Sequence, residues 1–166
     1  MKVSTRAHYG LRAMTKLAQA HGQGLLSLAE ISRTELLPLA YLEQLIGELR
    51  RAGLVEGVRG LHGGYRLTRP PGEITVGEVY RVLEGPISPV ECTADDYLPH
   101  SCDREEGCLS KSVWERVQQA ISAVLDTTTL VDLCHESPAR PDGGLITIES
   151  ITGARATVRE GCLKTP

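Results

Sequence analysis

The sequence predicts a mainly α-helical fold, a winged helix-turn-helix with a small β-hairpin wing and a long C-terminal helix. Three observations carry that expectation. Apolar residues make up 41% of the 166 but aromatic residues only 4%, with no Phe, so the core must be built from Leu, Val, Ile and Ala, which favours helices over a β-sandwich. Two helical patterns flank the tight connection Leu36-Leu37, and a short alternating pattern follows at once around a Gly-rich basic turn. A long apolar-periodic stretch then begins at Leu109.

The elements follow in order. From Thr5 to about Ala20, Ala7, Leu11, Met14, Leu17 and Ala18 recur at helical spacing, and Gly22 and Gly24 close the segment. Ser27-Leu-Ala-Glu30 reads as a capping box, in which hydroxyl and carboxylate satisfy two free amides at a helix start, so a short helix should run from Leu28 to about Glu35. Pro38 suits the first turn of a third helix, where its missing N–H costs nothing; Leu42, Leu45, Ile46 and Leu49 give its buried stripe and Gly53 its end. Leu54 to Val58 and Gly64 to Leu67 alternate around Arg59-Gly60-Leu61-His62-Gly63 and should pair as the wing, with Tyr65 and Leu67 packing against the third helix. Thr75-Val-Gly-Glu78 repeats the capping box and opens a helix that Gly85-Pro86 closes near Leu83. Residues 86–107 show no period. From Leu109 to Leu125 the apolar positions, among them Val113, Trp114, Val117, Ile121 and Val124, mark a helix about 25 Å long. Thr129 should cap a further turn or two through Cys134, and the Pro, Gly, Ser and Thr-rich segment 136–166 is expected to be a mobile tail. The expected division is therefore 1–84, a winged helix-turn-helix domain; 85–108, a cysteine-containing loop; 109–135, the long helix and its short successor; and 136–166.

Charge divides along the same line. Residues 1–70 hold ten Lys and Arg against five Asp and Glu, and residues 71–166 hold eight against sixteen. A basic N-terminal half suits a polyanion partner, and the acidic remainder limits indiscriminate binding. Of five cysteines, Cys92, Cys102 and Cys108 fall within seventeen residues, a cluster that reads as a metal or redox site rather than a disulfide framework. No stretch approaches the apolar length of a membrane span, and Arg6, His8, Arg12 and Lys16 stand where a signal peptide needs an apolar run, so a cytoplasmic protein is expected. Nucleophile elbow, phosphate loop, dinucleotide fingerprint and HExxH pair are all absent, which argues against an enzyme.

Met1-Lys-Val-Ser-Thr-Arg-Ala-His-Tyr-Gly-Leu-Arg-Ala-Met14, Leu28-Ala-Glu-Ile-Ser32, Tyr41-Leu-Glu-Gln-Leu45, Leu49-Arg-Arg-Ala-Gly-Leu-Val55, Arg59-Gly60 and Gly63-Gly-Tyr65 together resemble the IscR-like iron-sulfur cluster regulators of the Rrf2 superfamily, over roughly residues 1–135. The resemblance implies a homodimeric winged-helix transcription factor that binds double-stranded DNA, dimerises through the long helix, and holds a two-iron, two-sulfur (2Fe-2S) cluster on three Cys. Those positions correspond to Cys92, Cys102 and Cys108. In the best-known branch a His three residues past the third Cys completes the set. Here that residue is Lys111, whose ammonium has no lone pair to give. His100, Asp103, Glu105, Glu106 and a partner subunit's His8 remain candidates for the fourth ligand.

On the DNA side, Thr5, Arg6, Tyr41 and Arg51 have donors or charge suited to phosphate oxygens, while Glu43 can accept from a cytosine amino group and Arg59, beside Gly60 at the wing tip, suits a narrow minor groove. On the metal side, gaps of nine and five residues between the three Cys do not match the Cys-x-x-Cys knuckles of structural zinc sites, so with the resemblance admitted a cluster is favoured over zinc. The alternatives are a thiol-redox or zinc-dependent repressor using the same Cys, or a cluster-free regulator controlled by a partner protein bound through the acidic half. Cys134 reads as a small core residue and Cys162 as incidental.

Overall fold

A computed structural model describes residues 4–60, 63–94, 97–104 and 107–135, with only the backbone of His135. The expected tail, with Cys162, lies outside the described residues, as do Leu61 and His62 of the wing and Glu105 and Glu106.

Helix α1 (Thr5–Gln19) is capped by Ser4, whose hydroxyl accepts from the amides of Arg6 and Ala7. Its buried stripe is Ala7, Gly10, Ala13, Met14, Leu17 and Ala18, and α2, α3, α4, the wing and the last helix all pack on it. At Gly10 an added Cβ would fall on the Leu83 side chain, so the small residue sets how closely α1 and α4 approach.

Helix α2 (Leu28–Glu35) starts at Ser27, which accepts from the Glu30 amide at 3.1 Å, and ends at Leu36 in the left-handed conformation, φ 53°. That single left-handed residue turns the chain into α3 (Leu39–Arg51). Pro38 is not the first helical residue, as expected, but the cap before it: its ψ of 123° is extended, and its carbonyl accepts from the Tyr41 and Leu42 amides. Leu42, Leu45, Ile46 and Leu49 are all buried at the centre of the core.

The wing is the antiparallel pair β1 (Val55–Val58) and β2 (Gly64–Leu67), with Val55 opposite Leu67 and Val58 opposite Gly64. Leu67 is buried and Tyr65 packs on the core, while Leu26 and Tyr65 exchange backbone hydrogen bonds that hold the wing to the start of α2.

Helix α4 (Val76–Glu84) carries the complete reciprocal capping box between Thr75 and Glu78, and Gly85 ends it at φ 86°. Helix α5 (Lys111–Thr127) begins two residues later than its apolar pattern suggests. Leu109 lies 95% exposed in the turn before it, ahead of the α-helical bond from the Trp114 amide to the Ser110 carbonyl that opens the helix. α5 rests on α4, where Arg81 grips Asp126 through two bonds of 2.6 and 2.8 Å, and on a 3-10 turn at Glu91–Thr93. Helix α6 (Leu130–His135) then returns to α1, anchored by buried Leu130, whose amide bonds the Ile74 carbonyl at 3.0 Å.

Truncating Leu45 removes a fully buried side chain where α3 meets the rest of the core. Leu45→Ala should lower the unfolding free energy by about 3 kcal/mol in urea titrations; a loss under about 1 kcal/mol would place α3 outside the cooperative core.

Candidate nucleic-acid interface and cysteine segment

The face of α3 opposite its buried stripe exposes Ala40, Glu43, Gln44, Arg50 and Arg51, with half-covered Gly47 among them. This ridge has the width of one helix, which is what a DNA major groove admits. Beside it, a cleft of about 450 Å³ opens between wing and helices, lined by Ser27, Arg50, Arg59, Gly60, Gly63 and Tyr65. Two guanidiniums therefore border one concave surface. Gly60 sits at φ 129°, a conformation side-chain-bearing residues avoid, and shapes the turn that carries Arg59.

Glu43, Arg51, Arg59 and Gly60 thus lie exposed on the ridge or the wing, as a DNA-facing role requires. Thr5 is exposed at the first position of α1. Tyr41 is half-buried. Its ring meets Tyr9 edge-on at 6.1 Å, Arg12 lies 5.9 Å from the Tyr9 ring centre, and Arg12 donates to the Glu35 carboxylate at 3.2 Å and to its carbonyl. This stack fixes the Tyr41 ring at the start of α3. Arg6 has internal partners: its Nε donates to the Leu83 carbonyl at 2.6 Å and its Nη2 pairs with Glu48 on α3.

Sequence reasoning missed Gln44, Arg50, Tyr9 and Glu48. The first two were within reach, because the Leu42, Leu45, Ile46, Leu49 stripe fixes which α3 positions face outward. The Arg6–Glu48 pair spans 42 positions, and no local spacing signals such a contact.

The three cysteines expected to bind metal occupy the connection from α4 to α5. Cys92 is half-buried on the Glu91–Thr93 turn, Cys102 is exposed, and Cys108 is half-buried just before α5; all are free thiols. Cys108 lies 3.4 Å from the Ser110 hydroxyl, and that hydrogen bond, with backbone amides of Ser110 and Lys111, holds its thiol below the ordinary value. Cys134, packed near the Thr15 carbonyl, is pushed up by burial. Among the proposed fourth ligands, His100 adopts the left-handed conformation, φ 66°, Asp103 is exposed on the same connection, and His8 is exposed on α1. The donor chemistry suits a soft metal or cluster, but no group of three or more His, Cys, Asp or Glu converges on a metal-sized site among the described residues. The thiols are close in sequence without being gathered in space.

Helix α5 buries none of its residues fully. Ile121 and Leu125 line an apolar pocket of about 230 Å³ with Ala7, Leu11 and Val79, while Val113, Trp114, Val117 and Val124 face outward as an uncovered apolar stripe. Among the described residues, no helix is long and apolar enough to cross a membrane.

Residues 3–136 match the family model described as Rrf2, iron-dependent transcriptional regulator. The HTH-type transcriptional regulator CymR of Bacillus subtilis is 47% identical over 133 residues, covering 80% of this chain and 89% of that protein. IscR of Cereibacter sphaeroides is 39% identical over 135 residues, 80% of this chain and 86% of the relative. Among solved structures, CymR (YrzC), the global cysteine regulator of B. subtilis, superposes with a TM-score of 0.69 at 44% identity, covering 82% of this chain and 98% of that one. T. potens IscR gives 0.68 at 43% identity, covering 87% and 94%. These relatives are transcriptional regulators and not enzymes. With its winged helix-turn-helix and a match along most of its length, the chain belongs to the Rrf2 family of transcriptional regulators.

Proposed function

We propose that the protein is a cytoplasmic homodimer that binds promoter DNA and senses iron-sulfur, iron or redox status through a 2Fe-2S cluster on Cys92, Cys102 and Cys108. The observation that carries this reading is the placement of three free thiols in the connection between α4 and α5. In this reading residues 1–84 read DNA, 85–108 sense, and 109–135 pair two chains. The uncovered stripe on α5 supports the pairing, since a row of large apolar side chains facing water is stabilised by a second copy. Two reading heads so joined would meet half-sites about 34 Å apart, one turn of duplex. DNA contacts are assigned to Thr5 and Tyr41 as phosphate donors, Glu43 as a base reader, and Arg51, Arg59 and Gly60 at the backbone and wing.

Bound to the thiolates, a cluster supplies reversible one-electron chemistry and lability toward oxidants. The chain's part is to deliver the thiolates, and at Cys108 the hydrogen bonds with Ser110 and the Lys111 amide favour the charged form. The scattered arrangement of the three thiols agrees with a site that forms when its metal binds rather than beforehand. The fourth ligand comes from His100, Asp103, Glu105, Glu106 or a partner subunit's His8. Oxygen or nitrogen ligation there would leave the cluster easier to lose than an all-Cys one, which suits a sensor.

The lowered Cys108 thiol also favours a second reading, a thiol-redox or zinc-dependent repressor using the same Cys. Metal analysis separates the two. Protein reconstituted with iron and sulfide without oxygen should show visible charge-transfer absorption and two irons and two sulfides per chain, and Cys102→Ala should lose the colour while remaining folded. One zinc per chain without sulfide would favour the second reading.

Brief alkylation near neutral pH, read by peptide mass spectrometry, should modify Cys108 well ahead of Cys134, because the depressed thiol is charged at lower pH and the buried one is not. Equal rates would remove the case for an activated Cys108. Arg59→Ala should weaken binding to a duplex selected by the wild-type protein by about tenfold, and to mixed-sequence duplex far less. Equal losses on both would make Arg59 a simple phosphate contact.

A further inference from the structure

Arg6 stands at a junction of three helices. On the first turn of α1, it donates Nε to the Leu83 carbonyl at 2.6 Å, at the end of α4, and pairs Nη2 with the Glu48 carboxylate on α3. Beside it, the Ser4 hydroxyl that caps α1 also donates to Glu84, the last residue of α4. Gly85 follows directly and begins the cysteine-bearing connection.

The junction gives Arg6 a task that a free phosphate-binding arginine does not have. Its Nε–H and one Nη2–H, two of the five donors a guanidinium carries, go to fixed acceptors on separate elements, so the plane of the group is set by the fold. Turning it to DNA would leave the Glu48 carboxylate unpaired on the flank of the helix that faces the duplex, where it would repel phosphates. It would also strip a donor from a carbonyl in the last turn of α4, one of the four such carbonyls a helix leaves unsatisfied. Glu48 is already 23% exposed beside the 37% exposed Arg6 side chain, so the pair sits at the edge of the reading face without being part of it.

We propose that Arg6 is a positioning residue: by holding Glu48 and the Leu83 carbonyl together, it fixes the stance of α3 relative to the end of α4, and DNA selectivity depends on that stance. The proposal rests on the DNA-binding part of the function proposed above and not on the cluster. Its consequence is that a displacement at Gly85 reaches the reading helix through this guanidinium as well as through the direct packing of α3 on α4.

The test compares wild-type full chain with Arg6→Gln, Glu48→Gln and the double variant by fluorescence anisotropy. The probes are a duplex selected by the wild-type protein from a random-sequence library and a mixed-sequence duplex, each over a range of salt concentrations. Both single variants should lose about tenfold in preference for the selected duplex, the double variant should lose no more than the worse single one, and the salt slope of Arg6→Gln should equal that of wild type. A slope shallower by about one in Arg6→Gln, with Glu48→Gln keeping the wild-type preference, would overturn the proposal and make Arg6 a phosphate contact. If Arg6→Gln does not fold, Arg6→Lys, which keeps the charge but cannot bridge both acceptors with a planar fork, carries the selectivity arm: a preference lowered about tenfold, as in Glu48→Gln, supports the proposal, and a wild-type preference in both overturns it. A wild-type protein that selects no duplex at all would instead overturn the DNA-binding reading itself.

Discussion

The architecture depends on one buried stripe. Ala7, Gly10, Ala13, Met14, Leu17 and Ala18 present a narrow, mostly small-residue surface along α1, and α3, α4 and α6 each take part of it. Because those residues are short, the three helices come close enough to α1 for its polar edge to reach them as well. Ser4 and Arg6 grip the end of α4 and the flank of α3, and Arg12 reaches Glu35 at the end of α2. The helix that touches every part of the reading head is also the one that records where those parts are. Moving α4 without disturbing α1 would open a gap in a densely packed core, so movements are transmitted rather than absorbed.

Most of this was legible in the sequence, and where it was not the reasons are specific. Capping residues act on amides two or three positions away, so Ser27, Thr75 and Gly85 marked their helix ends correctly. Periodicity located α3 and α5 but not their first residues. Pro38 can end a turn as readily as begin a helix, and Leu109 fits the apolar period of α5 while lying outside its hydrogen-bond ladder. The Arg6–Glu48 and Tyr9–Tyr41 contacts join residues more than thirty positions apart. Nothing in one sequence says which of many charges or rings will meet. Arg6 therefore read as a phosphate donor from its type and position alone, while the fold gives it two internal acceptors.

The cysteines illustrate a different limit. Their crowding within seventeen residues is plain in the sequence, and the connection that carries them runs from α4 to α5. What spacing does not encode is whether three thiols converge, and the described residues hold no gathered set. The match to relatives named CymR and IscR at comparable identity in solved structures likewise fixes the family while leaving the sensed species to chemistry.

Function in this account is a coupling between a thiol-bearing connection and a DNA-reading helix, and coupling is reciprocal: whatever state of the connection favours DNA is favoured by DNA in return. The most direct measurement is the affinity for a wild-type-selected duplex before and after anaerobic reconstitution with iron and sulfide, for wild type and for a chain with Cys92, Cys102 and Cys108 all replaced by Ala. The account predicts that reconstitution shifts the wild-type affinity and leaves the triple variant unmoved. Identical isotherms for both chains under both conditions would contradict it.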